Sequence, residues 1–356
     1  MLLADHGAEV ISIEARRFEA DDLFFSSLYR NKKHLSLNLK SEEGKKIFYQ
    51  LADRCDVLIE GFRPGVAARL GIDYDTIHQR FPAIVYCSIS GYGETGPWAD
   101  KAGHDFNYLG ASGILDLIGP AQGPPSIPGV PIADIGGCLY AVIGILLALL
   151  ARYRSGKGQY VDISMTDGLL GFLSLPHYFY LQTGTLPKRS NELLSHRYGC
   201  YNTYETADGS FIAVGALEHR FWRQLCTALS VEKYIDLQFD ESRRDEIIAE
   251  LRSIFLNSSG KEWQLFLQDF DVCCTRILNF DEVLTHPLFR DREMIVEQQQ
   301  SDGSILKSLG MAIKLSTTPG SMRSGPARFG QHNEEILSGL GYSGAEIEKF
   351  RNRKVI

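Results

Sequence analysis

The sequence predicts an α/β protein: a doubly wound parallel sheet wrapped by helices, followed by a smaller α+β domain. Three observations carry that expectation. Short strand-like apolar segments alternate with helical ones through the first ninety residues, the pattern of parallel strands joined by helical crossovers. Beyond Tyr178 the pattern changes to a β-hairpin and a series of amphipathic helices. A chain of 356 residues, 44% hydrophobic and 23% charged, is long enough to bury a core in each of two domains.

The elements follow in order. Residues 1–7 read as the end of a helix closed by Gly7, and 9–13 as an alternating strand. A doubly wound domain sets a strand before such a helix, so the chain is expected to start inside its first βα unit. A helix is predicted over 42–52, where Ser41 supplies a capping hydroxyl and Glu42 and Glu43 suit the positive end of the helix dipole. Strands at 57–59 and 84–90 flank a helix at 74–80. Residues 119–129 hold too much proline and glycine for regular structure and lead into Pro131-Ile132-Ala133-Asp134. The apolar run 138–151 is shorter than the roughly 18 residues a membrane span needs, and Arg152 and Arg154 close it, so it reads as a buried helix. A strand is expected at 160–164.

Residues 201–214, with Asp208-Gly209 at the turn, read as the hairpin. Helices are expected near 221–229, 243–256 and 261–267, a return to the first domain near 308–315, and terminal helices at 333–340 and 344–351. The boundaries that result are a large domain over 1–185, a linker over 186–200, a small domain over 201–300 and a completing segment over 301–356. The short Gln298–Gln300 run is the only low-complexity tract.

A formal charge of −7 and a pI near 5.8 argue against a general nucleic-acid binder and leave room for a local basic patch holding a small phosphorylated molecule. Seven cysteines with no CxxC or Cys/His spacing suggest reduced thiols, a cytoplasmic setting and no zinc. No GxSxG or Walker loop is present, and the one GxGxxG spacing, Gly91-Tyr92-Gly93-Glu94-Thr95-Gly96, reads as a loop rather than a Rossmann signature, which sets aside hydrolase triads, NAD and ATP.

The residues that could carry chemistry are few. Asp134 stands before a helix, where unpaired N–H groups favour an ionised carboxylate; by spacing alone it is an N-cap or a catalytic group, and its neighbours must decide. His104 lies in a polar cluster with Asp105 and Asn107 and offers an imidazole suited to exchanging a proton with a carbon acid, or a structural hydrogen bond. Glu218 follows the hairpin and could orient a histidine or sit exposed at a strand end. Gly61-Phe62-Arg63-Pro64-Gly65 is a tight turn at the carboxyl end of a strand, the usual ligand crevice of an open α/β sheet, where Phe62 could stack on a purine and Arg63 or Arg69 could meet phosphates. Arg154 to Gln159 reads as a glycine-capped helix end with solvated charges.

Taken in order, LLADHGAEVISIE, RNKKHLSLNLKSEEGKK, DVLIEGFRPGVAARLGIDY, ISGYGETGPWADKAGHDFNY, ADIGG, SGKGQYVDISMTDG and YETADGSFIAVGALE resemble the family III coenzyme A transferases, most of all the α-methylacyl-CoA racemase branch. The resemblance runs almost end to end. It implies a large domain built from both chain ends, a small domain between, and two subunits interlocked as a homodimer, with an acyl-CoA substrate and no membrane or nucleic-acid partner. It makes Asp134 the catalytic carboxylate, paired with His104 across the α-carbon in racemases and supported there by Glu218. In transferases the same aspartate attacks the thioester and passes through an anhydride and an aspartyl-CoA thioester. The AGHDxNY and GALE contexts favour racemization, because transferases carry another residue at the His104 position and a glycine-rich loop in the small domain. Coenzyme A contacts carry over to Arg16 or Arg17, Leu37, Lys40, Gly61, Phe62, Arg63, Arg69, Ala102, Gly103 and Asp105, and no cofactor beyond the coenzyme A moiety is implied. Departures include an absent first strand and Pro-Gly loop, Arg276 where proline is usual and Phe329 where leucine is usual. With the strand missing, a third expectation is a non-catalytic dimeric fold.

Overall fold

The computed structural model describes residues 1–20, 24–299 and 305–356. Its contacts divide the chain into two units: residues 1–104, 133–168 and 284–356 form the first, and residues 105–132 and 169–283 the second. The division differs from the boundaries expected from sequence. Residues 105–132 and 169–200 group with the second unit, while the change of unit near the end of the small domain falls at 283. The boundary expected at residues 300 and 301, and the last residue of the glutamine run, lie outside the described residues.

In the first unit, β1 (Val10–Glu14) pairs in parallel with β2 (Lys32–Ser36), and β3 (Val57–Glu60), β4 (Val85–Ser90) and β5 (Tyr160–Ser164) form a second parallel group in that order. The expected single sheet is thus two parallel groups. Helices α1 (Glu42–Ala52), α2 (Val66–Leu70) and α3 (Tyr74–Arg80) lie between successive strands. Ser41 caps α1 as predicted, its Oγ accepting from Gly44 N at 3.1 Å, and Gly44 is required there because a Cβ would stand 2.1 Å from the Asn38 carbonyl oxygen. The core gathers Leu35, Leu37, Ile47, Phe48, Ile77 and Tyr86 with Ile336, Leu337, Ile347 and Phe350 from the terminal helices, so residues some three hundred positions apart share one apolar cluster.

The second unit introduces α4 (Asp105–Ala111). The long helix α5 (Ile132–Ser155) returns the chain to the first unit and begins six residues earlier than the apolar run suggested. Its face of small residues, Gly136, Gly137, Ala141 and Ala148, is buried, with Ala141 and Ile145 packed on Cys87, Ile89, Val161 and Ile163 of β4 and β5. The opposite face carries Ile135, Leu139, Ile143, Leu146, Leu147 and Leu150, each about half exposed. The expectation of a buried helix is therefore corrected to one buried along its small face only. By length and composition α5 could also cross a bilayer, a property it shares with core helices packed on a sheet. Gly156, at φ +71°, ends the helix as the sequence indicated, and Arg152 reaches back to Asp56 Oδ1 at 2.7 Å.

Beyond α5 the second unit resumes with β6 (Tyr201–Glu205), β7 (Phe211–Gly215) and β8 (Cys274–Arg276), an antiparallel sheet whose first turn is the predicted Asp208-Gly209. Asp208 Oδ1 accepts from Thr206 Oγ1, Ser210 Oγ and Gly260 N, and these bonds hold its carboxyl far below the usual aspartate range. Helices α6 (His219–Ala228), α7 (Arg244–Phe255) and α8 (Gly260–Leu267) close over the sheet with Trp222, Leu225, Tyr234, Leu251 and Phe255 fully buried. Arg276 is held by Glu282 at 2.7 Å, which explains a cation in that strand. The return segment is a hairpin, β9 (Ile295–Gln299) with β10 (Ile305–Leu309), rather than the single stretch expected at 308–315, followed by α9 (Asn333–Gly339) and α10 (Gly344–Asn352).

Candidate active site

Parallel strands of one unit present their carboxyl ends to the same side, and there the chain must turn with unpaired backbone groups. Most of the predicted ligand contacts fall at such ends. Arg16 lies two residues beyond β1 and is exposed; Lys40 follows β2 and is exposed, with Asn38 Oδ1 accepting from its backbone N–H at 3.1 Å. Leu37 is 1% exposed, and its side chain belongs to the core, so only its backbone could meet a ligand.

The turn after β3 is held by a residue the sequence reading passed over. Glu60, 9% exposed, accepts the Phe62 N–H on Oε2 at 2.7 Å and the Ser88 hydroxyl on Oε1, while Tyr160 OH donates to Ser88 Oγ at 3.0 Å. A carboxylate so placed ties the Gly61–Phe62 backbone to β4 and β5 through a chain of charge-assisted hydrogen bonds. Gly61 and Arg63 are left exposed, Phe62 is half-buried against the core, and Gly65 adopts φ +77° to start α2, which displays Arg69. Read along the sequence, Glu60 is only the polar end of an apolar strand; its Ser88 partner is 28 positions away, and the Tyr160 that holds Ser88 is 100 positions away.

The Gly91–Gly96 stretch is a loop, as expected. Thr166 donates both its N–H and Oγ1 to Gly91 O, and Asp162 accepts from Glu94 N at 3.3 Å. Burial, then the charges of Glu60 and Asp162, push the Glu94 carboxyl above its ordinary value. Lys101 Nζ lies 3.6 Å over the Trp98 ring, fixing the segment that leads to Ala102, Gly103 and His104. His104 is exposed and ends the first stretch of the first unit.

Asp134 is the third residue of α5, not the residue before it, and its side chain is exposed in the first turn. There it meets the positive end of a 24-residue helix, which favours the carboxylate and supplies N–H donors for an oxyanion. Asp134 and His104 thus belong to one unit. Asp105 and Glu218 belong to the other. Glu218 is the N-cap residue of α6, yet its side chain makes no capping bond; its backbone carbonyl accepts from Trp222 N at 3.1 Å, and the carboxylate stays exposed.

The first unit thus sets a carboxylate in the first turn of its long helix and basic side chains near the ends of its parallel strands. The family model for CoA-transferase family III matches residues 1–333, and the chain belongs to that family. It is 34% identical to the alpha-methylacyl-CoA racemase of Mus musculus, over all of this chain and 92% of the mouse protein. It is 32% identical to the succinyl-CoA–D-citramalate CoA-transferase of Chloroflexus aurantiacus, over all of this chain and 93% of that protein. Among solved structures it is similar to a CAIB/BAIF family protein from Brucella suis, with a TM-score of 0.83 at 29% identity over 95% of this chain and 93% of that one.

Proposed function

We propose that the protein is an acyl-CoA enzyme that interconverts the two configurations at the α-carbon of 2-methylacyl-CoA thioesters. The observation that carries this reading is the presence, in one unit, of an exposed imidazole at His104 and an exposed carboxylate at Asp134 in the first turn of α5. One of the pair takes the α-proton, the electron pair moves onto the thioester oxygen, and the other returns a proton to the opposite face, so no net proton is consumed. The N–H groups opening α5 stabilise the enolate oxygen, and the step needs no group beyond the coenzyme A moiety. Arg16, Lys40, Arg63 and Arg69 meet the phosphates of coenzyme A, with backbone at Gly61, Ala102, Gly103 and Asp105 completing the contacts. The working form is a homodimer, for which the exposed apolar face of α5 is the supporting surface, and its setting is the cytoplasm.

A second reading is supported by the 32% identity to a CoA-transferase: Asp134 attacks the thioester carbonyl and expels coenzyme A thiolate as a mixed anhydride forms, the thiolate attacks the aspartyl carbonyl to release the donor acid and leave an aspartyl-CoA thioester, and the acceptor carboxylate takes coenzyme A through a second anhydride that returns Asp134 free. The test is proton NMR of a 2-methylacyl-CoA in deuterated water, with and without an added carboxylic acid. Loss of the α-proton signal without acid, abolished by Asp134→Asn and by His104→Ala, is the result expected. A new acyl-CoA formed only when acid is present, surviving His104→Ala, moves the transferase to first place. Silence in both sinks both readings and leaves a non-catalytic fold.

A further inference from the structure

Within the second unit, the stretch 187–197 and the start of α7 line an open cavity of about 540 Å³, together with residues 116–122. Four cationic side chains, Lys188, Arg189, Arg197 and Arg244, line it against two carboxylates, Asp116 and Asp245. The cations are not equally engaged. Arg197 is bound to Glu241 at 2.7 Å, and Arg244 reaches both Glu241 at 3.4 Å and Asn191 Oδ1 at 2.9 Å. Arg189 differs. Its side chain is 16% exposed, its Nε and Nη1 have no hydrogen-bond partner among the described residues, and its Nη2 stands 3.8 Å from Asp116, a carboxylate 75% exposed. Lys188 makes no ion pair among the described residues.

A guanidinium taken that far out of water without acceptors is costly, and a single long contact to an exposed carboxylate does not offset it. The surrounding loop is nevertheless held firmly. Ser190, at φ +53°, donates its Oγ to Gly119 O at 2.7 Å; His196, at φ +56°, lies at the other end; and Lys188 N donates to Glu192 Oε1 at 2.7 Å. Two non-glycine residues kept in the left-handed region mark a segment whose geometry is fixed by its surroundings. Burial, with Arg252 beyond it, pushes the His196 imidazole below its ordinary value, so it adds a ring N–H and little charge to the wall.

We propose that this cavity is an oxyanion-binding site, in which a carboxylate or phosphate group displaces Asp116 from Arg189 and is held by Arg189 and Lys188 together. An oxyanion offers the acceptors the guanidinium lacks and carries the charge Asp116 supplies only at a distance. The site shares no residue with the expected acyl-CoA contacts, so its test contains no coenzyme A.

The purified chain would be titrated calorimetrically at fixed ionic strength, once with succinate and once with inorganic phosphate. The expected result is saturable binding of at least one anion, weakened about tenfold in Arg189→Gln and tightened in Asp116→Asn, which removes the competing carboxylate. Succinate alone binding assigns a carboxylate ligand, phosphate alone a phosphoryl group, and mutual displacement one site serving both. Should Arg189→Gln fail to fold, Lys188→Gln, at an exposed position, replaces it with an expected weakening of about threefold. Binding that is absent for both anions, or unchanged in the folded variant, overturns the proposal.

Discussion

Glu60 and Arg189 are both charged, both largely withdrawn from water, and treated in opposite ways by the fold. Glu60 has each carboxylate oxygen engaged, one by a backbone N–H and one by a hydroxyl that a tyrosine in turn holds. Arg189 leaves two of its three nitrogens without acceptors among the described residues and its third at 3.8 Å from an exposed partner. A closed network spends its charge on fixing a turn. An open one keeps its charge available. The contrast separates groups that build a site from groups that wait for something to enter it, and it can be read without knowing the ligand.

A second closed pair sets the scale. Asp5, 1% exposed, accepts from Arg30 Nη2 at 2.7 Å and from Asn31 Nδ2 at 2.8 Å. Asp5→Ala should cost about 3–5 kcal/mol in denaturant unfolding, because it strands a buried guanidinium. A loss below about 1 kcal/mol would show that Arg30 finds another partner and would blur the distinction. Glu60→Gln keeps one acceptor and should cost about 1–2 kcal/mol. Because it loosens the Gly61–Arg63 turn, it should also raise KM for an acyl-CoA several-fold with kcat unchanged; equal effects on both would make Glu60 a general scaffold residue.

Glu94 sharpens the comparison through pH. Its folded value lies above the ordinary 4.5, through burial first and then through Glu60 and Asp162. The folded chain therefore holds that proton more tightly than the unfolded one. The contribution is intact below 4.5 and is lost as pH rises through the folded value. Glu94→Gln should flatten the decline of Tm with pH above that point, and an unaltered profile would place the titration elsewhere. The smallest effect is expected of Arg189→Met. Removing an unsatisfied charge should change stability by less than about 1 kcal/mol, with a gain as welcome as a loss. A cost of about 3 kcal/mol would mean that the cavity is closed after all.

Local elements were legible because their signals are local. The strand Tyr160–Ser164, the Asp208-Gly209 hairpin and the Ser41-capped α1 are each decided by residues within a few positions of one another. The start of α5 was placed late because the apolar run begins only at Cys138; in the fold the helix already includes Gly136 and Gly137, and Gly137 lies against Met165, whose Cγ would stand 2.6 Å from a Cβ there. The half-exposed face of that helix could not be told from a buried one by composition, since both faces are apolar. Glu60 escaped notice because Ser88 and Tyr160, which complete its network, are far along the chain. Arg189 was hidden by lying in what read as a linker. The candidate acid and base were legible as residues from their motif contexts, whereas the scaffold beneath them was not.

The way the first unit's core is shared out bears on how the protein is made. Ile336, Leu337, Ile347 and Phe350 complete a cluster whose other members, Leu35 to Tyr86, leave the ribosome some 250 residues sooner. At about 5–20 residues per second, that apolar surface waits on the order of tens of seconds for its last layer. The second unit's sheet and helices, contiguous from Tyr201 to Arg276, wait far less. During synthesis the early strands are thus the part of the chain most in need of a chaperone, and slowing the elongation of the last hundred codons should lower the soluble yield.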